Sequence, residues 1–317
     1  MSAPAPRPKI PRRAVHGVLM LDKPLGLTSN DALQKVKRLL RAEKGGHTGT
    51  LDPLATGLLP LTFGAATKFS QVSLEADKAY RATLQLGATT TTGDGEGELL
   101  QQREVQVTPA QIAEACAAFT GTISQLPPMY SALKHQGRAL YELAREGKTV
   151  ERQPREITIH RIAIVGWDDA SHQLVIDVRC SKGTYIRTLA EDIGERLGCG
   201  AHLAGLRRTG SGPVAVEGSV TLEQLEAMDE DARLTLLKAP DSLLAEWPAV
   251  ALDPDEAGRF LSGMRRRVDQ PDAPQVRVYG QRPHAFLGSA HIQAGELIAD
   301  RLLSPNEIAT MLLQQAA

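Results

Sequence analysis

GGHTGTLDPLATGLLP, Gly45 to Pro60, is the least ordinary stretch of this chain. Its density of Gly, Thr and Pro predicts an ordered loop, rather than a regular element, from Lys44 to Pro60. Pro53 biases Asp52 away from helical geometry, so the Asp52 carboxylate belongs to that loop. Asp-Pro pairs are common in plain turns, so the loop gains meaning only from what surrounds it. No P-loop, HExxH or GxSxG pattern competes with it elsewhere.

Upstream, GVLMLD (Gly17 to Asp22) is a short apolar run with strand character. KPLGLTSND then turns into a helix that Ser29 or Asn30 is suited to cap, with Leu33, Val36, Leu39 and Leu40 on one face. Downstream, AYRATLQL (Ala79 to Leu86) alternates as a strand and sets Tyr80, Ala82, Leu84 and Leu86 on one side. A helix is predicted over Pro109 to Phe119, and a strand hairpin over Ile157–Val165 and Gln173–Cys180. Lys182 to Leu197 reads as a turn and a helix stopping at Gly198, which suits a C-cap. Ala201 to Arg208 (AHLAGLRR) reads as basic and helical at first, and Thr221 to Met228 as a short helix. The span 126–155 carries more Lys and Arg than Glu and reads as an excursion from the core. From Pro248 the composition shifts to a helix, Arg265–Arg267, short strand-like runs and a last helix, which predicts a small, mostly β domain.

A chain of 317 residues with 42% hydrophobic residues is long enough for one large and one small domain. The net charge of -1 does not mark it as a nucleic-acid binder in bulk. Contacts to RNA would therefore rest on local clusters: Lys134 to Arg155, Arg207 with Arg208, and Arg265 to Arg267. Cys116, Cys180 and Cys199 are odd in number and lack CxxC spacing, which predicts buried free thiols with no disulfide and no zinc site. Residues 1–16 read as a disordered basic arm, with neither a signal peptide nor a membrane span, which predicts a cytoplasmic protein.

Taken with its flanks, the loop closely resembles the catalytic loop of the TruB family of pseudouridine synthases. LDKPLGLTSNDALQKVK (Leu21 to Lys37) resembles the opening motif of that family, and DKAYRATLQLGATTTTGD (Asp77 to Asp94) its tyrosine strand. SKGTYIRTLAEDIG (Ser181 to Gly194) and AHLAGLRRTGSG (Ala201 to Gly212) resemble two further motifs, in family order. The resemblance implies an α/β (α+β) core with a mixed, largely antiparallel sheet over residues 17–247. It also implies a tRNA-gripping insertion at 126–155 and a PUA-like RNA-binding domain at 248–317.

By that resemblance Asp52, Tyr80 and Arg187 are the catalytic residues. A carboxylate serves glycosidic cleavage as a nucleophile, on ribose C1′ or base C6, or as a stabiliser of cationic sugar character, with C1′ and a glycal-like intermediate favoured by family analogy. A guanidinium beside it would favour the charged carboxylate. Tyr80 offers a ring for stacking and a hydroxyl for proton transfer. Tyr185 and Leu206 would line the base site, and His47 would fill the gap left by the extruded base. Lys134 and Arg138 would grip substrate, and Lys23 with Pro24 would support the catalytic loop.

The implied activity is isomerisation of the T-loop uridine (conventional tRNA position 55) to pseudouridine. Isomerisation involves no redox change and needs no metal or organic cofactor. The implied partner is tRNA, held at its T arm and acceptor end by a single chain without an obligatory protein partner. Two rival readings are the catalytic subunit of a guide-RNA-dependent synthase and a tRNA-binding chaperone without essential chemistry.

Overall fold

The structure, a computed structural model, describes residues 11–316. Its centre is a ten-stranded sheet. The strands used below are β1 (Gly17–Lys23), β2 (Gly45–His47), β3 (Ala55–Phe63), β4 (Lys78–Leu86), β5 (Gly121–Gln125), β6 (Arg155–Asp168), β7 (Gln173–Cys180) and β8 (Ala201–Ser211). From one edge the order is Val220–Thr221, β1, β3, β8, β4, β7, β6, β5, with β2 beside β3 and Val214–Ala215 beside β8. β1 runs parallel to Val220–Thr221, and β3 runs parallel to β8. The other pairings in this sheet are antiparallel, so the sheet is mixed and largely antiparallel as the sequence implied.

Alternation explains β4, whose Ala82, Leu84 and Leu86 are all buried. They face Ile112 of the helix Pro109–Ala118 and Leu189 and Ile193 of α2 (Ile186–Arg196) in one core. A second core joins Leu33 and Val36 of α1 (Ser29–Leu39) to Leu19, Leu59 and Leu61. The three cysteines are buried free thiols, and burial pushes Cys116 and Cys180 up to about 11.

Four expectations change. The Lys44–Pro60 stretch is loop only in its middle, because β2 and the start of β3 occupy its ends. Ala201–Arg208 is strand β8, not helix: tertiary pairing with both β3 and β4 overrides its weak helical pattern. Thr28, not Ser29 or Asn30, caps α1, its hydroxyl accepting from Asp31 N at 3.0 Å. Residues 11–16 are packed rather than free: Arg13 bridges to Ala42 and Val15 is buried. Residues 1–10 of the predicted arm lie outside the described residues.

Residues 248–316 form a five-stranded sheet ordered Ala249–Leu252, Ala273–Gln281, His284–Gln293, Glu296–Leu302, Arg266–Arg267. Helices Pro254–Leu261 and Pro305–Ala316 accompany it. This sheet does not stand apart. Val18, Met20, Leu58 and Phe69 of the catalytic region share one buried core with Val250, Phe286 and Ile292. Among the described residues no helix is long and apolar enough to cross a membrane.

Candidate active site

The loop between β2 and β3 is braced on both sides of Asp52. Ser29 Oγ accepts from Leu51 N at 2.7 Å and donates to Leu51 O at 3.1 Å. Gly26 N donates to Pro53 O at 2.9 Å, and Ala55 N to Asp52 O at 3.0 Å. Behind these bonds Lys23 is fully buried, and its Nζ donates to Pro24 O at 2.9 Å and Leu27 O at 2.6 Å. Burial lowers its ammonium to about 8, with Asp52 pulling the other way. Lys23 thus holds the 24–27 turn together, and Gly26 joins that turn to the loop.

Arg187 sits in the first turn of α2, whose Leu189, Ala190 and Ile193 anchor it in the core. Its side chain is 8% exposed, while that of Asp52 is 46% exposed, and Nη2 lies 3.1 Å from Asp52 Oδ2. Nε faces the buried Asp94 at 3.6 Å. Nη1 donates to Thr92 O at 3.0 Å and Nη2 to Tyr130 O at 2.5 Å. The guanidinium therefore ties together the catalytic loop, the 92–94 turn and the start of the 126–155 insertion. Five fixed donors make such a junction possible for Arg and not for Lys.

A cavity of about 340 Å³ opens beside this pair, lined by Asp52, Tyr80, Tyr185, Arg187, Leu206 and Arg208 among others. Its volume suits one planar base. Tyr80 comes from β4 and Leu206 from β8, adjacent strands that pair Arg208 with Tyr80 and Leu206 with Ala82. Burial raises the Tyr80 phenol, and the Arg208 guanidinium partly offsets this. Burial likewise raises Tyr185. The Tyr185 backbone is held by the buried side chain of Gln125, which accepts from its N at 2.8 Å and donates to its O at 3.1 Å.

His47 lies apart from this cavity. It lines a second one of about 550 Å³ that shares Asp52 and Arg187 with the first, together with Asp94, Tyr130, Tyr141 and Arg145. Burial, then Arg208, lowers its imidazole, which keeps it neutral at neutral pH. The structure thus brings Asp52, Tyr80, Tyr185, Arg187 and Leu206 to one cavity and sets His47 next door. Lys134 and Arg138 line neither cavity: they are exposed on the two-stranded hairpin Lys134–His135/Arg138–Ala139 of the insertion, just beyond the cavity-lining Ala132 and Leu133. Arg138 pairs with Glu146.

Of the basic clusters, one member is overturned by burial and several others are paired within the chain. Arg208 is 1% exposed, with Nε donating to Leu58 O at 2.6 Å, so it cannot reach a phosphate on the surface. Arg207 is held by Asp22 through bonds of 2.9 and 2.6 Å. Arg265 and Arg266 pair with Glu296 and Glu256. A count of basic residues along the chain does not see these partners, which come from distant positions. Sequence reasoning also passed over Lys78, Asp94 and Gln125. Burial of a polar residue in strand β4 or β5 leaves little trace in alternation, although the Lys-X-Tyr spacing of Lys78 and Tyr80 sets both on the same face of β4.

Comparison with known proteins gives matches over most of the chain. The family model for the TruB family pseudouridylate synthase N-terminal domain matches residues 37–186. Those for the tRNA pseudouridylate synthase B C-terminal domain and for pseudouridine synthase II TruB, C-terminal, match residues 187–245 and 248–303. The tRNA pseudouridine synthase B of Verminephrobacter eiseniae is 56% identical over 317 residues, covering 98% of this chain and 96% of its own. That of Cupriavidus metallidurans is 56% identical over 304 residues, covering 93% and 96%. In fold, a chain of the crystal structure of a Cbf5-Nop10-Gar1 complex superposes with a TM-score of 0.70 at 24% identity, covering 92% of this chain and 86% of that one. From the braced Asp52 loop to the C-terminal sheet, the chain belongs to the TruB family of tRNA pseudouridine synthases.

Proposed function

We propose that this chain isomerises the T-loop uridine of tRNA to pseudouridine with Asp52 as nucleophile. The observation that carries the reading is the 3.1 Å pair between a half-exposed Asp52 and a buried Arg187 at the mouth of a base-sized cavity. The carboxylate stays accessible while the guanidinium fixes its direction. In the reaction the Asp52 carboxylate bonds to ribose C1′. The N1–C1′ bond breaks, and its electron pair leaves with the uracil. The base turns, C5 bonds to C1′ and the carboxylate departs. The C5 proton is then lost and N1 gains one, so the sum is an isomerisation with no cofactor. We assign Tyr80 the relay of that proton and the stacking of the ring, with Leu206 and Tyr185 closing the base site. His47, neutral in the adjoining cavity, fills the space left in the RNA stack. Exposed Lys134 and Arg138 meet phosphate.

The test is tritium release from C5-labelled uridine in a T-arm transcript, with the purified single chain and no guide RNA. Wild type releases tritium, and Asp52→Asn binds the transcript but releases none. Release by Asp52→Asn at a near wild-type rate overturns the nucleophile. A wild-type chain inactive without a guide RNA or a further protein would favour a guide-dependent synthase instead.

A further inference from the structure

The floor of the base cavity holds two buried cations that the chemistry above does not use. Lys78 is 8% exposed and Arg208 is 1% exposed, and both line the cavity. They sit close together: a Cβ placed on Gly49 would lie 3.3 Å from Arg208 Nη1 and 3.8 Å from Lys78 Cε. Gly49 itself has a φ of +96°, so its missing side chain leaves both groups open to the loop that carries Asp52. Lys78 Nζ donates to Ser73 O at 2.9 Å and to Ala76 O at 2.5 Å. Arg208 donates to Leu58 O at 2.6 Å and Gly49 O at 3.3 Å, and faces the Tyr80 phenol. Among the described residues neither cation has a carboxylate within ion-pair distance; their hydrogen bonds go to main-chain carbonyls.

Two desolvated positive charges without a counter-ion are costly unless something anionic joins them. The cost is visible in Lys78, whose ammonium burial lowers to about 8, with Arg208 acting in the same direction. Carbonyl partners satisfy some donors, yet they leave net charge at a cavity wall where a substrate is to sit. Such preorganised charge acts where charge develops during reaction. Breaking the N1–C1′ bond creates an anion there, because the electron pair passes into the uracil ring and spreads onto its carbonyl oxygens.

We propose that Lys78 and Arg208 form a cationic floor that holds the detached uracil as an anion through a carbonyl oxygen. This rests on the cleavage step proposed above and adds a recognition element to it. The floor stabilises the base only once it has left the sugar, so it favours cleavage over ground-state binding. It also keeps the free base in the cavity while C5 turns toward C1′.

The probes are free pyrimidines measured by equilibrium dialysis at neutral pH: 5-nitrouracil, which is anionic there, against uracil, which is neutral. Wild type should prefer the anion by about tenfold, the scale of one charge-assisted hydrogen bond. Lys78→Met should abolish most of that preference, and Lys78→Arg should restore it. Arg208 is left intact in this test because it also joins two strands. In single turnover, Lys78→Met should slow tritium release while leaving transcript affinity unchanged, and Lys78→Arg should recover part of the rate. A merely structural lysine would lose stability in Lys78→Met without a selective loss for the anion. No anion preference in wild type, or no measurable binding of either pyrimidine, overturns the floor, as does a preference that survives Lys78→Met. Asp52→Asn separates the two proposals, since it changes neither cation and should keep the preference. If Asp52→Asn turns over yet retains the preference, the nucleophile fails and the floor stands. If it is inactive and wild type shows no preference, the floor fails and the nucleophile stands.

Discussion

The C-terminal sheet and the 126–155 insertion are both attachments to the catalytic sheet, and they are attached in opposite ways. The C-terminal sheet joins through apolar packing: the rings of Phe69 and Phe286 lie 5.2 Å apart inside a shared core. Lys68 adds polar bonds across the same boundary, to Glu307 at 2.6 Å and Leu302 O at 2.9 Å. The insertion buries little of its own, chiefly Leu140 and Leu143. Its firm link to the site is the bond from Arg187 Nη2 to Tyr130 O. One attachment thus shares the core of the sheet, and the other lines the cavity beside Asp52. The boundary between domains in sequence does not say which is which.

The largest effect that follows is from deleting residues 248–317. Phe69, Val18 and Leu58 would lose the part of their cover that Val250, Phe286 and Ile292 supply, at up to about 1.5–3 kcal/mol for each large side chain. Thermal unfolding should show the truncated chain losing its cooperative transition or melting far below the full chain. A truncated chain that melts like the full one would mean that the shared core contributes nothing to the catalytic sheet. This differs from the behaviour of a separable RNA-binding appendage, which could be removed without cost to the fold.

Arg187→Lys comes next. It keeps a charge but cannot serve Asp52, Asp94, Thr92 O and Tyr130 O together. Single-turnover rate should fall about 100-fold or more, the scale of losing one oriented donor in an active site. Limited proteolysis should cut within 126–155 faster in the same variant. A slowed enzyme with an unchanged cleavage pattern would show that the insertion is held by other contacts.

Leu143→Ala tests the insertion from within. Leu143 is buried at 8% exposure, in a short helix outside the three main cores. The loss should be local, below the ~2–5 kcal/mol typical of a core Leu. Hydrogen exchange should rise across 126–155 with the global melting temperature within about 2 °C of wild type. A large global shift would make the insertion part of the core after all.

The smallest effect is on binding. Replacing Lys134 and Arg138 with Ala should weaken transcript binding and flatten the salt slope by roughly one to two units. The Lys134 single variant should carry most of this, because Arg138 already pairs with Glu146 and Glu142. Fluorescence titration at several salt concentrations measures it, and an unchanged slope in the double variant removes the insertion's hairpin from the phosphate contacts.

That Asp52 and Arg187 meet was legible only through the resemblance of their two motifs to a known family, since Arg187 by its residue type alone reads as a surface side chain. Strands β1, β4 and the β6–β7 hairpin were legible from apolar runs and alternation. Strand β8 was not, because it is half-buried along much of its length and shows no clean period. Its place depends on Gly57, where a Cβ would lie 2.3 Å from Arg208 O, and that contact spans 151 positions of the chain. Arg208 was misread for the same reason: charge is assigned to the surface by default, and only the tertiary pairing buries it. Ser29 was expected at the helix start and is there, but its hydroxyl serves Leu51, the neighbour of Asp52.

The shared core around Phe69 and Phe286 also has a consequence for synthesis. Translation delivers residues 17–247 first, and at roughly 5–20 residues per second the remaining 248–316 follow seconds later. During that interval Val18, Met20, Leu58 and Phe69 have only Ala65, Ala66, Val216, Leu243 and Leu244 as buried cover, so the nascent sheet carries a partly open apolar face. A ribosome stalled near residue 247 should therefore expose part of this face, which the strands and helices of residues 248–316 later cover.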